Sequence, residues 1–213
     1  MTSTAKLLRE LIALPSVNPA FMPAKHPHAG EKRVADYLAV TAARFGLEVE
    51  FQDVLSGRSN IIARLLPENE PRQRILLAPH LDTVNVAHAS QLTPWTKNGR
   101  IFGRGACDTK GSVAAMLMAM CELVKSRQRP RATEIVFAGL VDEENAQAGS
   151  RALAGSGMKI DLAIVGEPTR LQVITAHKGS LWLELETRGK AAHGATPQRG
   201  KNAVHEMARI VEM

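Results

Sequence analysis

The stretch ILLAPHLDTV, Ile75 to Val84, carries an apolar run directly into His80 and Asp82. Two further apolar runs end the same way: IVFAGLV leads into Asp142, Glu143 and Glu144, and LAIVG leads into Glu167. Asp108, within GRGACDTKG, stands just before a helical stripe that opens at Val113. Imidazole and carboxylate groups bind divalent metals and move protons. Open α/β sheets bind ligands outside the carboxyl ends of their strands. One His and several carboxylates therefore converge on one rim, with no matching cluster of Lys or Arg.

Each residue alone has a structural reading. His80 is then a satisfied core histidine, Asp108 a helix cap, Asp142, Glu143 and Glu144 a solvated turn, and Glu167 a loop carboxylate before Pro168. Together those readings leave four or more carboxylates at one sheet edge with nothing to balance them, and a divalent cation resolves the conflict. His with carboxylate oxygens suits zinc, and also manganese or cobalt; the absence of Cys at the strand ends argues against a closed structural zinc site. A carboxylate can bridge two metals that together activate water and polarise a carbonyl, and Asp108 in its Gly-flanked turn is the best bridging candidate. Adjacent glutamates on an extended backbone point apart, so one of Glu143 and Glu144 can hold metal while the other serves as general base. Asp82, on the same side of its strand as His80, is placed to orient the imidazole.

The elements that must hold these groups follow from periodicity. A short amphipathic helix opens the chain, followed by the Pro-rich loop SVNPAFMPAKHPHAG, whose His26 and His28 read as solvated residues. Val34, Tyr37, Leu38, Thr41, Ala42 and Phe45 mark one face of a helix that Gly46 ends. GLEVEFQDV and SNIIARLL read as strands, and RILLAPHLDTV as a central strand apolar on both faces. Val113, Met116, Leu117, Met120, Cys121 and Val124 form a second helical stripe; strands EIVFAGLV and DLAIVG follow, with a helix from about Ala148 between them. The class is α/β, a layered sheet with helices on both faces. From Gly179 the alternation of GSLWLELETRG predicts a one-sided antiparallel strand, the start of a smaller α+β domain. The expected division is 1–177 and 178–213. Ala203, Val204, Met207, Ile210 and Val211 share a final helical face, and no stop signal follows, so the chain reads as cut rather than finished.

Composition narrows the function classes. The chain has 213 residues, 45% hydrophobic and 23% charged, as expected of a globular protein. Its formal charge of +6 comes from scattered Lys and Arg, and with 4% aromatics there is little to stack on bases, so nucleic acid is not the expected partner. No apolar run approaches the roughly 20 residues of a bilayer crossing, and no secretory signal is evident. The two cysteines, Cys107 and Cys121, suit a reducing compartment, and a cytoplasmic protein is expected. Cys107 is expected as a small buried neighbour of Asp108 rather than as a metal ligand.

The ordered set HLDTV, GRGACDTKG, VDEEN, VGEPT and HKGSLWLELETRGKAAHGATP, spanning most of the chain from Arg58 onward, resembles the cocatalytic zinc amidohydrolase and exopeptidase family. That family includes acetylornithine deacetylase, succinyl-diaminopimelate desuccinylase, aminoacylase and glutamate carboxypeptidase. The resemblance implies two divalent metal ions, with His80 and Glu167 on one, Glu144 on the other and Asp108 bridging both. It further implies Glu143 as general base, Asp82 supporting His80, and a cis peptide bond between Asp108 and Thr109. His193 of KAAHGATP is similar to the lid histidine that reaches the partner's active site in a homodimer and stabilises the oxyanion. Two departures stand out: Thr109 occupies a place where many relatives carry a larger apolar residue, and no histidine matches the family's last metal ligand, which lies in the second half of chains about twice this length. The expected function is amide hydrolysis of small N-acyl amino acids, with a dipeptidase or carboxypeptidase as the alternative and a non-catalytic metal-binding or dimerisation protein as the further one. The 213 residues alone are expected to be inactive.

Overall fold

The structure is a computed structural model that describes residues 3–23 and 25–213. It divides into two compact units, one running through Leu171 and the other Gln172–Met213. In the first, helices α1 (Ser3–Ala13) and α2 (Lys32–Arg44) precede strands β1 (Glu48–Leu55), β2 (Arg58–Leu65) and β3 (Gln73–Ala78). A hairpin of β4 (Trp95–Lys97) and β5 (Arg100–Phe102) comes next, followed by α3 (Lys110–Lys125), β6 (Thr133–Gly139), α4 (Ala148–Gly155) and β7 (Leu162–Val165). The main sheet has the order β1-β2-β6-β3-β7. The β1–β2 and β2–β6 pairs are antiparallel, and β6–β3 and β3–β7 are parallel. β3 has a neighbour on each side, as its two apolar faces require, although the middle strand is β6.

Alternation along the inner strands feeds two cores. Ile61, Ala63, Leu65 and Phe137 pack with Leu7 and Leu11 of α1, Val34, Leu38 and Ala42 of α2, and Val113, Leu117, Met120 and Cys121 of α3. On the opposite face Ile62, Leu76, Ala78, Val136 and Ala138 meet Leu153 of α4. Helices thus cover both faces. The outer strand β1 carries Glu48, Glu50 and Asp53, charges that discourage further pairing along that edge.

Two polar contacts secure α1. Lys110, only 1% exposed and with its pKa drawn down to about 7 by that burial, donates through Nζ to the carbonyls of Leu11 at 2.9 Å and Leu14 at 2.7 Å at the carboxyl end of α1. Lys110→Met keeps the bulk and removes the donors. Two carbonyls then lose a shared donor, and the expected loss is about 1–2 kcal/mol in a urea titration. The hydroxyl of Tyr37 donates to Glu10 Oε2 at 2.7 Å, joining α2 to α1. Burial, this hydrogen bond and the Glu10 charge push the phenol from 10 to about 12, against Arg44. Folding raises this pKa, so the contribution is complete below pH 10 and is lost as pH rises toward 12. Tyr37 is the chain's one tyrosine, so phenolate absorbance reads it directly. The urea midpoint is expected to fall across that window in the wild type and to fall less in Tyr37→Phe.

The second unit departs from expectation. Residues 179–189 form no strand, and Leu181, Trp182, Leu183 and Leu185 are all exposed. Alternation chooses a face, but a strand forms only when its amides and carbonyls meet a neighbour. Among the described residues nothing pairs with this segment; the one bridge in the unit joins Lys190 and Lys201. The expected last helix is present as α5 (Ala203–Val211), capped by Asn202, whose side chain accepts from the Val204 and His205 amides.

Candidate metal centre

Hydrogen bonding between β3 and β6 continues past the ends of both strands and builds the rim. Leu140 N donates to Pro79 O at 3.0 Å and Leu81 N donates to Leu140 O at 2.7 Å, so residues 80–82 lie alongside 140–142. His80 is 2% exposed, whereas the Asp108 side chain is 54% exposed, so a buried imidazole anchors carboxylates that face outward. Its Nδ1 lies 3.0 Å from the Asp82 carbonyl oxygen and 3.4 Å from Asp82 Oδ1. Two acceptors there require a hydrogen on Nδ1, which leaves Nε2 for the rim. Nε2 lies 3.0 Å from Asp108 Oδ1, 3.8 Å from Glu143 Oε2 and 4.0 Å from Glu167 Oε1.

Asp82 organises the neighbouring loop. Its Oδ1 accepts from the Glu143 amide and its Oδ2 from the Glu144 amide, both at 3.0 Å. The Val141 amide donates to Asn60 Oδ1 at 3.0 Å and the Asp142 amide to Glu31 Oε1 at 3.2 Å. Four successive amides past β6 thus find side-chain acceptors, which lets a loop be buried without an orphaned donor. Asp142 takes φ 67°, a left-handed turn that Asp tolerates, and this reverses the chain toward the rim. Arg58 lies between Glu31 at 2.6 Å and Asp142 at 3.1 Å. Behind the loop Gly149 is required, because a Cβ there would lie 2.4 Å from Val141 O and 2.6 Å from Asn60 Oδ1.

Asp108 immediately precedes α3, and its peptide bond to Thr109 is cis, as the resemblance implies. Thr109 is buried and its hydroxyl donates to His80 O at 3.2 Å, so the smaller residue here ties the two halves of the rim together. Cys107, expected to be buried, is exposed: the turn that carries Asp108 outward carries its neighbour with it.

Electrostatics supply the test of a metal. Among the described residues Asp108, Glu143, Glu144 and Glu167 have no Lys or Arg within ion-pair distance, and His80 is their shared partner. Burial raises the Glu143 carboxyl, and Asp82 and Asp108 add to this against His80. Burial likewise raises Glu144, with Asp108, Asp82 and Glu143 adding and His80 opposing. Glu167 is pushed up to about 7 by burial and by the charges of Glu143, Asp108 and Glu144, against His80. Burial draws the His80 imidazole down, but hydrogen bonds to Asp108 and Asp82 and the charges of Asp82 and Glu167 hold it at about 11. Beyond burial, the mutual repulsion that raises the three glutamates marks a site short of positive charge. His80, Asp108 and Glu144 offer ligand atoms all within 4.8 Å of one another, so the donor set fits a divalent cation.

Six of the seven residues singled out from sequence, His80, Asp82, Asp108, Glu143, Glu144 and Glu167, therefore gather at one rim. His193 belongs to the second unit, where its Nδ1 accepts from the Ala195 amide at 3.1 Å. Asn18, Glu31, Arg58 and Asn60 were not singled out, and as lone polar residues outside any chemical motif they carried no signal.

The α/β sheet thus presents one imidazole and carboxylates without a Lys or Arg partner at one rim, a donor set suited to a divalent metal. The chain belongs to peptidase family M20/M25/M40, whose model matches residues 76–209. It is 33% identical over 191 residues to a Staphylococcus epidermidis protein named "Probable succinyl-diaminopimelate desuccinylase", covering 85% of this chain and 45% of that one. It is 32% identical over 209 residues to acetylornithine deacetylase of Proteus mirabilis, covering 95% and 52%. Among solved structures, a tripeptidase from Staphylococcus aureus superposes with a TM-score of 0.69 at 20% identity, covering 99% of this chain and 55% of that one, a likeness of fold. The chain spans about half the length of the curated relatives it matches. No helix among the described residues is long and apolar enough to cross a membrane.

Proposed function

We propose that this chain carries the metal-binding half of a cytoplasmic, dimeric hydrolase that cleaves the amide bond of small N-acyl amino acids, in the manner of a deacetylase or desuccinylase. The observation that carries this is the rim itself: one buried imidazole and four carboxylates without a Lys or Arg partner, with two adjacent glutamates whose amides rest on one Asp82 carboxylate. The names of the relatives favour N-acyl amino acids as the substrate class. The family's description as a peptidase favours a second reading, cleavage of dipeptides or a carboxyl-terminal residue, by the same residues.

His80, Asp108, Glu144 and Glu167 would hold two divalent ions, zinc first, with cobalt or manganese chemically competent. When bound, such ions polarise a carbonyl and lower the pKa of water. Glu143, half-buried and raised by that burial, takes the proton of the attacking water and returns it to the leaving amine. Asp82 fixes the imidazole and both glutamate amides. His193 reaches across the dimer, from a lid and dimerisation domain that begins at residue 178, to donate to the oxyanion in the other subunit's site.

A panel of N-acetylornithine, N-succinyl-diaminopimelate, other N-acyl amino acids and dipeptides, assayed with the zinc-loaded full-length hydrolase of which this chain is the metal-binding half, separates the readings. Preferential turnover of an N-acyl amino acid is expected. Preference for dipeptides would select the second reading, and metal binding without turnover of any member would leave a non-catalytic metal protein.

A further inference from the structure

We propose that Asn18 is a positioning residue for this reaction: its side-chain amide, held between the Asp82 and Asp142 carboxylates, sets the plane of Asp82 and through it the direction of Glu143 and Glu144. The inference rests on the functional reading above. Asn18 is fully buried. Its Nδ2 donates to Asp82 Oδ2 at 2.7 Å and to Asp142 Oδ1 at 3.0 Å, and its Oδ1 accepts from the Ala20 amide at 3.0 Å. Both amide hydrogens are therefore committed to carboxylates, and the orientation is fixed by the backbone donor opposite.

The backbone around Asn18 is held as firmly. Thr83 N donates to Ser16 O at 3.0 Å and Asn18 N donates to Thr83 O at 2.9 Å, so residues 16–18 lie along the segment that contains Asp82 like a short added strand. Asp82 then has four neighbours on two oxygens: His80 Nδ1 and the Glu143 amide at Oδ1, Asn18 and the Glu144 amide at Oδ2. Asn18 supplies the shortest of these contacts, and its second amide hydrogen goes to Asp142. Without its two donors, the buried Asp82 and Asp142 carboxylates would lose the group that bridges them, and rotation of Asp82 is the available relief. Any such rotation moves both glutamate amides, and the side chains above them follow. A donor that was merely structural would affect stability alone; this one sits a single residue away from metal ligand and base together.

The test compares Asn18→Leu, which keeps volume without donors, and Asn18→Ser, which keeps one donor, with Tyr37→Phe as a control for stability loss remote from the rim. The full-length enzyme is loaded with cobalt, and metal stoichiometry, visible cobalt absorption, kcat and KM are measured with the best substrate of the panel. The expected result for Asn18→Leu is full stoichiometry, a shifted cobalt band, unchanged KM and a kcat lower by about 10- to 100-fold, with Asn18→Ser intermediate. Kcat and cobalt band both matching those of Tyr37→Phe, or loss of the metal itself, would overturn the proposal. If Asn18→Leu does not fold, Asn18→Ser decides by the same criteria. If the wild type turns over no member of the panel, the functional reading falls separately; the cobalt band then decides, a shift supporting the role of Asn18 and an unshifted band overturning it.

Discussion

Glu143→Gln in the full-length enzyme is expected to lower turnover by about 10²- to 10⁴-fold, the usual contribution of a positioned general base, while metal content and thermal midpoint stay at wild-type values. The side chain is half-exposed, and the residue is held in place through its backbone amide on Asp82 Oδ1, a contact that the substitution preserves. The amide side chain keeps the shape and removes the acceptor of a proton. Glu144→Ala is the counterpart: its carboxylate belongs to the cluster with His80 and Asp108, so metal content is expected to fall with activity. Elemental analysis of the two purified variants decides the matter. The opposite pattern, metal lost from Glu143→Gln and kept in Glu144→Ala, would exchange the roles of the two glutamates.

Asp108→Ala should have the largest effect on metal binding. Asp108 lies 3.0 Å from His80 Nε2, shares the ligand cluster with Glu144, and is the residue assigned to bridge both ions. If it serves both ions as proposed, its loss would weaken both, so affinity is expected to fall by more than the about 10- to 100-fold that outer partners of metal ligands cost. The fold should persist. Asp108 is an exposed side chain outside the hydrophobic core, and the amide that opens α3 by bonding Gly105 O belongs to Lys110. Competition with a chromophoric chelator, read beside circular dichroism, measures both. Zinc affinity within tenfold of wild type, together with native dichroism, would remove Asp108 from the ligand set.

The rim was legible because its members, apart from Asp108 in the turn before α3, follow apolar runs. Ile75–Ala78, Ile135–Gly139 and Leu162–Val165 had to be strands, and parallel pairing brings their carboxyl ends to one side, so the type of residue that follows each run names the chemistry. Asn18 was illegible for the complementary reason. Its partners Asp82 and Asp142 lie 64 and 124 residues away, and a single polar residue in a Pro-rich loop has no period to betray them. The β4–β5 hairpin was overlooked although its signal was present: Asn98 and Gly99, at φ 50° and 73°, form the left-handed pair that a two-residue hairpin favours. The segment 179–189 shows the reverse error. Its alternation is real, but periodicity records which side of a strand is apolar and says nothing about whether a neighbour is available.

The mixed sheet also dictates an order of events when the chain folds. β1 and β2 are joined through residues 56 and 57, and closing so short a loop costs little entropy. Every parallel pairing is distant: Gln73 meets Thr133, and Ile75 meets Leu162. Contacts that span such separations form slowly, because the intervening chain must be ordered before they repay it. The hairpin is thus expected to gain amide protection ahead of β3, β6 and β7 in pulsed hydrogen exchange, and simultaneous protection of all five strands would contradict this. His80, Glu143, Glu144 and Glu167 hang from the slow half. A newly made chain would accordingly remain unable to gather its metal ligands until the last of its long-range pairings had closed.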